Sequence, residues 1–145
     1  KNISCKTNII YKEQINIVQR LYLNDCTLEN SNEYLSEISR KRSGYIQQDK
    51  KHGIYHIDYI INMDDIILKM VESKMKCFYC IHECMFLYKE VYANNQWTLD
   101  RIDNNLGHTN KNTVICCLKC NLSRGNINHD RYVASKQISV VRKIE

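Results

Sequence analysis

The sequence predicts an α+β fold, and three observations carry that prediction. Apolar residues recur at helical spacing through the first half of the chain. In the second half, two short stretches with the look of strands flank a turn rich in Gly and Asn. Two C-x-x-C pairs, Cys77/Cys80 and Cys117/Cys120, stand 36 residues apart and enclose that turn. The 145 residues, 43% of them apolar, suffice for one domain or for a small core with an accessory piece. The expected division is 1–53, a helical N-terminal region ending in a basic linker, and 54–145, the part that carries the cysteine pairs.

Residues 9–22, "IIYKEQINIVQRLY", place Ile10, Ile17 and Leu21 on one stripe with Ile15, Val18 and Tyr22 beside it, which predicts an amphipathic helix. A second helix is expected after Asn30 or Ser31, carrying Tyr34, Leu35 and Ile38. The pair reads either as a packed cap or as a helix-turn-helix reader of DNA. "SRKRSGYIQQDKKHG" is polar, basic and interrupted by Gly44 and Gly53, so it reads as the linker. Its Arg40, Lys41, Arg42, Lys50 and Lys51 are candidates for phosphate contacts or simply a solvated connector. Met63, Ile66, Ile67, Met70 and Val71 then predict a helix capped by Asn62 and ending near Lys74, with its apolar stripe in the core.

That helix delivers the first cysteine pair. Two residues between thiolates let both sulfurs wrap one face of a cation, and two such knuckles complete a tetrahedron with Zn–S bonds of about 2.3 Å. The expected site is structural zinc held by Cys77, Cys80, Cys117 and Cys120, and it supplies folding free energy that a small core lacks. Cys84 and Cys116 also lie within ligand range in sequence, although the x-x spacings are preferred. Cys5 and Cys26 read as buried or free thiols. No signal-peptide pattern and no apolar run of membrane-spanning length occur, so the two C-x-x-C pairs among the eight Cys read as metal ligands of an intracellular chain and not as a secreted disulfide framework, with no membrane partner. The net charge of +5 suits a polyanionic partner or a solvated surface. It is densest after Leu106, where Lys111, Lys119, Arg124, Arg131, Lys136, Arg142 and Lys143 face only Asp130 and Glu145.

Between the knuckles, "QWTLDRIDN" alternates Trp97, Leu99 and Ile102 in part with polar residues and predicts a strand. The turn "NNLGHTNKN", the strand "TVICC" and a helix opening at the second knuckle follow, giving a ββα unit pinned by metal. Asp100 on the first strand and Asn121 in the first helical turn offer hard oxygens suited to Mg²⁺ or Mn²⁺.

The run "LDRIDNNLGHTNKNTVICCLKCN" resembles the motif of the HNH, or His-Me finger, ββα-metal endonucleases, in the zinc-knuckle subgroup typified by phage recombination endonuclease VII. The resemblance covers about Cys77 to Arg124. The wider pattern of "GYIQQDKK", "KCFYC", "QWTLDRIDN", "GHTNKN" and "CLKCNLSRG" is similar to HNH proteins of large DNA viruses, which implies a virus-encoded chain. The resemblance implies a zinc-bound ββα-metal core behind an N-terminal helical region, Asp100 and Asn121 as ligands of a catalytic Mg²⁺ or Mn²⁺, and Asn112 as the middle Asn that fixes the loop. It makes DNA the partner, without separating it from RNA, and it makes Arg124 a phosphate contact; Lys119 and Lys111, from the basic tail, are further candidates for nucleic-acid binding.

Directly after the strand Asp, where the family keeps its general base, stands Arg101. A guanidinium, with a pKa above about 12, takes no proton from water at neutral pH, so Arg101 serves only to bind phosphate or stabilise developing charge. His108, after Gly107, is a candidate substitute base and equally a turn partner. Asp103 is a further candidate, and metal-bound hydroxide acting without a side-chain base is another. His82 is a zinc ligand only if one of the four Cys is not, His129 lacks a comparable context, and His52 and His56 read as surface or packing residues. The leading expectation is a metal-dependent HNH endonuclease hydrolysing DNA phosphodiesters. The alternatives are a catalytically impaired nuclease fold kept for nucleic-acid binding or structure, and a pure zinc-ribbon interaction protein.

Overall fold

The computed structural model describes residues 10–144, with side chains through residue 138. Cys5, Glu145 and the side chains of Arg142 and Lys143 lie outside the described residues. The element order is α1 (Tyr11–Tyr22), α2 (Ser31–Lys51), α3 (Met63–Glu72), β1 (Trp97–Arg101), β2 (Thr113–Cys117), α4 (Leu118–Arg124) and α5 (His129–Ile144). Helices and one two-stranded antiparallel sheet make this an α+β fold. No helix among the described residues is long and apolar enough to cross a membrane.

The stripe expected in α1 is buried at Ile17, Val18 and Leu21, while Ile10 precedes the helix and Tyr22 is exposed. Buried Gln14 faces inward with them. Its Oε1 accepts from the N–H of Phe86 (2.7 Å) and Leu87 (2.9 Å), and its Nε2 donates to Leu87 O (3.1 Å), so α1 holds the segment after the first knuckle as a neighbouring backbone would. The α3 cap forms as expected, Asn62 Oδ1 accepting from Asp65 N at 2.8 Å. One hydrophobic cluster joins residues of α1, α2 and α3 to Trp97, Leu99 and Ile115 of the sheet.

The basic linker expected after Ser39 is corrected by the structure: α2 runs unbroken through it to Lys51. With no proline to stop it, one interior glycine does not end the helix. Several of the polar residues there face inward and bond the backbone of neighbouring segments. Lys41 Nζ donates to Trp97 O and to Gln96 Oε1 (3.0 Å). Tyr45 Oη accepts from Leu99 N–H (3.0 Å), and Arg42 Nε donates to Ile61 O (2.7 Å). Lys41, Tyr45 and Asp49, four residues apart, therefore lace α2 along the free edge of β1 and on to the loop beyond it. Burial, with Arg40 beside it, pushes Lys41 down to about 7, where its ammonium lies over the rings of Trp97 and Tyr88.

β1 and β2 pair from Trp97 opposite Cys117 to Arg101 opposite Thr113. Period-two alternation gives Trp97 and Leu99 to the core and turns Thr98 and Asp100 toward α4, which follows β2 without a break and reaches them through Asn121 and Arg124.

Candidate metal centre and active site

Cys77, Cys80, Cys117 and Cys120 bring their four Sγ atoms within 4.8 Å of one another. A tetrahedron with 2.3 Å Zn–S bonds has an edge of about 3.8 Å, and Cys80 Sγ lies 3.9 Å from Cys117 Sγ. Cys80 N–H and Cys120 N–H point at the first sulfur of their own knuckles, at 3.5 and 3.4 Å. The donor set and spacing fit one metal ion and are compatible with structural zinc. Cys84 and Cys116 are buried beside this tetrad. Hydrogen bonds from Cys116, Cys117 and Cys84 pull the Cys77 thiol well below its usual range, and the same contacts together with burial push Cys84 and Cys116 up. The Cys116 thiol donates to the carbonyl of Cys117 (3.1 Å). His82 is exposed, and so is the free thiol Cys26.

A cleft of about 520 Å³ opens between α2, β1, α4 and the 102–112 loop, and Asp100, Arg101, His108 and Asn121 all line it. Asn112 is buried and clamps the loop. Its Nδ2 donates to Asp103 O (3.0 Å) and Gly107 O (2.9 Å), and its Oδ1 accepts from Asp103 N (2.9 Å).

His108 is only 3% exposed and is fixed on every side. Its Nδ1 lies 2.7 Å from Asp49 Oδ1, its backbone N–H donates to Asp49 Oδ2 (2.7 Å), and its carbonyl accepts from Ile61 N (2.9 Å). The ring stacks on Tyr45 at 4.5 Å between centroids. With Nδ1 donating to a carboxylate, the lone pair resides on Nε2. Nε2 has no partner among the described residues and is not sealed off, so it faces the cleft. Burial holds His108 below the usual histidine pKa, outweighing the upward pull of Asp49. The ring is consequently neutral at pH 7.

Asp100 Oδ2 accepts from Arg124 (2.6 Å) and from the Tyr79 hydroxyl, which leaves Oδ1 without a partner among the described residues. Asn121 Nδ2 donates to Thr98 Oγ1 (3.0 Å), which leaves its Oδ1 free to coordinate. Two oxygens thus remain for a hard cation. Arg101 is half-buried and donates to the loop carbonyls of Asn104 (3.1 Å) and Leu106 (3.4 Å) at the cleft edge.

Four expected residues stand differently. Arg124, expected at phosphate, is 2% exposed. Besides Asp100 its guanidinium serves the carbonyls of Arg101, Ile102 (2.9 Å) and Ile127 (3.0 Å), so four of its five N–H donors are taken up inside the fold. Lys111 and Lys119 are exposed, and neither lines the cleft. Asp103 accepts from Asn105 N (2.9 Å) in a turn outside the cleft, because the strand ends at Arg101 and the alternation that was to place Asp103 beside it stops there.

Sequence reasoning missed Asp49 and the pair Tyr79–His129. The Tyr79 hydroxyl, bonded to Asp100, also lies 2.9 Å from His129 Nδ1. The signal for Asp49 was its place four residues after Tyr45 and eight after Lys41, legible only if the segment is read as a helix. For His129, 50 residues from Tyr79, no local pattern exists. No protein-family profile, curated protein or solved structure matches this chain.

Proposed function

We propose that the chain is a divalent-metal-dependent endonuclease of the HNH type acting on DNA, with a ββα-metal core formed by β1, β2 and α4. In this reading His108, oriented by Asp49, takes the base role that Arg101 cannot fill. One observation carries it: a neutral, carboxylate-oriented histidine turns a free Nε2 into the cleft that also holds Asp100, Arg101 and Asn121.

A water attacking the phosphorus in line gives its proton to His108 Nε2. The bond to the leaving oxygen breaks as the new P–O bond forms, and the departing alkoxide takes a proton from solvent. Asp49 keeps the imidazole in the tautomer that accepts at Nε2 and meets the positive charge the ring acquires. Arg101, permanently cationic, faces the charge that develops on the phosphate. Asp100 Oδ1 and Asn121 Oδ1 would hold Mg²⁺ or Mn²⁺, whose chemistry there is electrostatic stabilisation of the phosphoryl oxygens and leaving group.

One observation favours the second reading, a nuclease fold kept for nucleic-acid binding: Arg124 and Tyr79 already occupy one oxygen of Asp100. A cation must share that carboxylate. The deciding experiment incubates zinc-loaded protein with supercoiled plasmid in Mg²⁺ and in Mn²⁺, beside His108→Ala and Asp100→Asn, with folding and zinc content measured for each. Nicking by the wild type that both variants lose supports the enzyme. No nicking from protein that still binds DNA in a salt-sensitive way supports the binding module.

A further inference from the structure

Gly44 sits in the interior of α2, a 21-residue helix, where glycine is the least favourable residue other than proline. Nothing within the fold explains it. A Cβ built there meets no atom within 4 Å, so no neighbour demands the space, and the backbone is not in the left-handed region that favours glycine. Gly44 lines the cleft instead. It is the middle position of the row Arg40, Gly44, Gln48, set four residues apart on the cleft wall, so a ridge of side chains has a gap at its centre.

The chemistry around the gap suits a polyanion. Arg40, Arg101 and the buried Lys41 line the cleft against a single carboxylate, Asp100, which Arg124 already neutralises. Arg40 is exposed, though it touches Glu37 at 3.0 Å. Beyond these, the amides of Gln48 and Asn104 offer donors of the kind that meet phosphate and sugar oxygens without reading base sequence.

We propose that a phosphodiester strand crosses α2 at Gly44 to enter the cleft, making Gly44 a specificity-determining residue whose missing side chain sets what passes. The inference rests on the cleft being the nucleic-acid site of the proposed function. It adds the route of entry, which no residue of the ββα unit supplies.

The test measures binding apart from chemistry. Fluorescein-labelled DNA oligonucleotides, single-stranded and duplex, are titrated with zinc-loaded protein without added Mg²⁺ or Mn²⁺ and followed by anisotropy. Gly44→Leu is compared with Ser43→Leu, a neighbouring exposed position outside the cleft, each checked for helix content and zinc. Gly44→Leu is expected to weaken binding tenfold or more while Ser43→Leu stays within twofold of the wild type. Equal affinity for all three, or equal losses in both variants, overturns the inference. In the first of those cases a His108→Ala variant that no longer nicks plasmid leaves the proposed function standing. Absence of DNA binding by the wild type overturns both.

Discussion

Replacing Asp49 by asparagine probes the site where it is most constrained. The carboxylate is 1% exposed and accepts two hydrogen bonds from one residue, His108 N–H and the ring Nδ1, both at 2.7 Å. An amide has one oxygen and one NH₂ group. If the oxygen keeps the backbone N–H, the NH₂ faces Nδ1, and either two donors are left opposed or the ring moves its proton to Nε2 and accepts at Nδ1. Leaving a buried donor unsatisfied costs about 1–3 kcal/mol. If the donors stay opposed, urea unfolding followed by the fluorescence of the single, buried Trp97 is expected to show a loss of that size. If the ring gives way instead, the loss is smaller and nitrogen-15 spectra of the histidines show the proton of His108 on Nε2, and a ring so protonated cannot take the proton of water. Plasmid nicking should therefore fall by about 10²–10⁴, the usual worth of a general base. Stability within about 0.5 kcal/mol of the wild type, together with an unchanged tautomer, would refute the argument that Asp49 fixes this ring.

Arg124→Ala should destabilise the fold by roughly 3–5 kcal/mol in the same urea assay, since it strands the Asp100 carboxylate and three backbone carbonyls; a loss under about 1 kcal/mol would mean that solvent reaches the pair. Gly107→Ala places a Cβ 2.8 Å from both Asp49 Oδ2 and Ile54 O, so a cost of about 1–3 kcal/mol and disturbed His108 resonances are expected. Metal analysis should find one zinc per chain, and chelation should melt the 77–120 region in circular dichroism, whereas an unchanged melt would deny the metal a folding role. Burial holds His108 below its unfolded value near 6.5, so its contribution to stability is fully present above that pH and is lost as pH falls through the lower folded value. The urea midpoint should drop on the acid side in the wild type more than in His108→Gln, and a rise there would mean that the Asp49 pairing outweighs burial.

Local signals in the sequence were strong wherever one residue type had one physical use. The x-x spacing of the cysteines, the Asn62 cap and the alternation in "WTLDR" each led to the element observed. The segment from Ser39 to Gly53 did not, because its inward-facing residues are polar. Lys41, Tyr45 and Asp49 satisfy backbone and imidazole groups rather than filling a core, and a search for apolar periodicity passes over a stripe of that kind. Arg124 misled for the converse reason. A basic residue after C-N reads as a surface charge, and only the approach of Asp100 across the sheet, 24 residues away, turns it into a buried partner. His108 was legible as a candidate, but its orientation was not, since Asp49 stands 59 residues earlier.

The lacing of α2 to β1 works because two unlike repeats nearly share a length. Four helical residues rise about 6 Å, and two strand residues advance about 6.8 Å, so Lys41 and Tyr45 meet Trp97 and Leu99 in step. The strand ends at Arg101, and the third tooth, Asp49, engages the loop beyond it at His108. The spacing from residue 41 to residue 49 is therefore a ruler that sets where the imidazole stands. One residue added or removed within it would swing everything beyond by about 100° and uncouple the ring from the strand that carries Asp100.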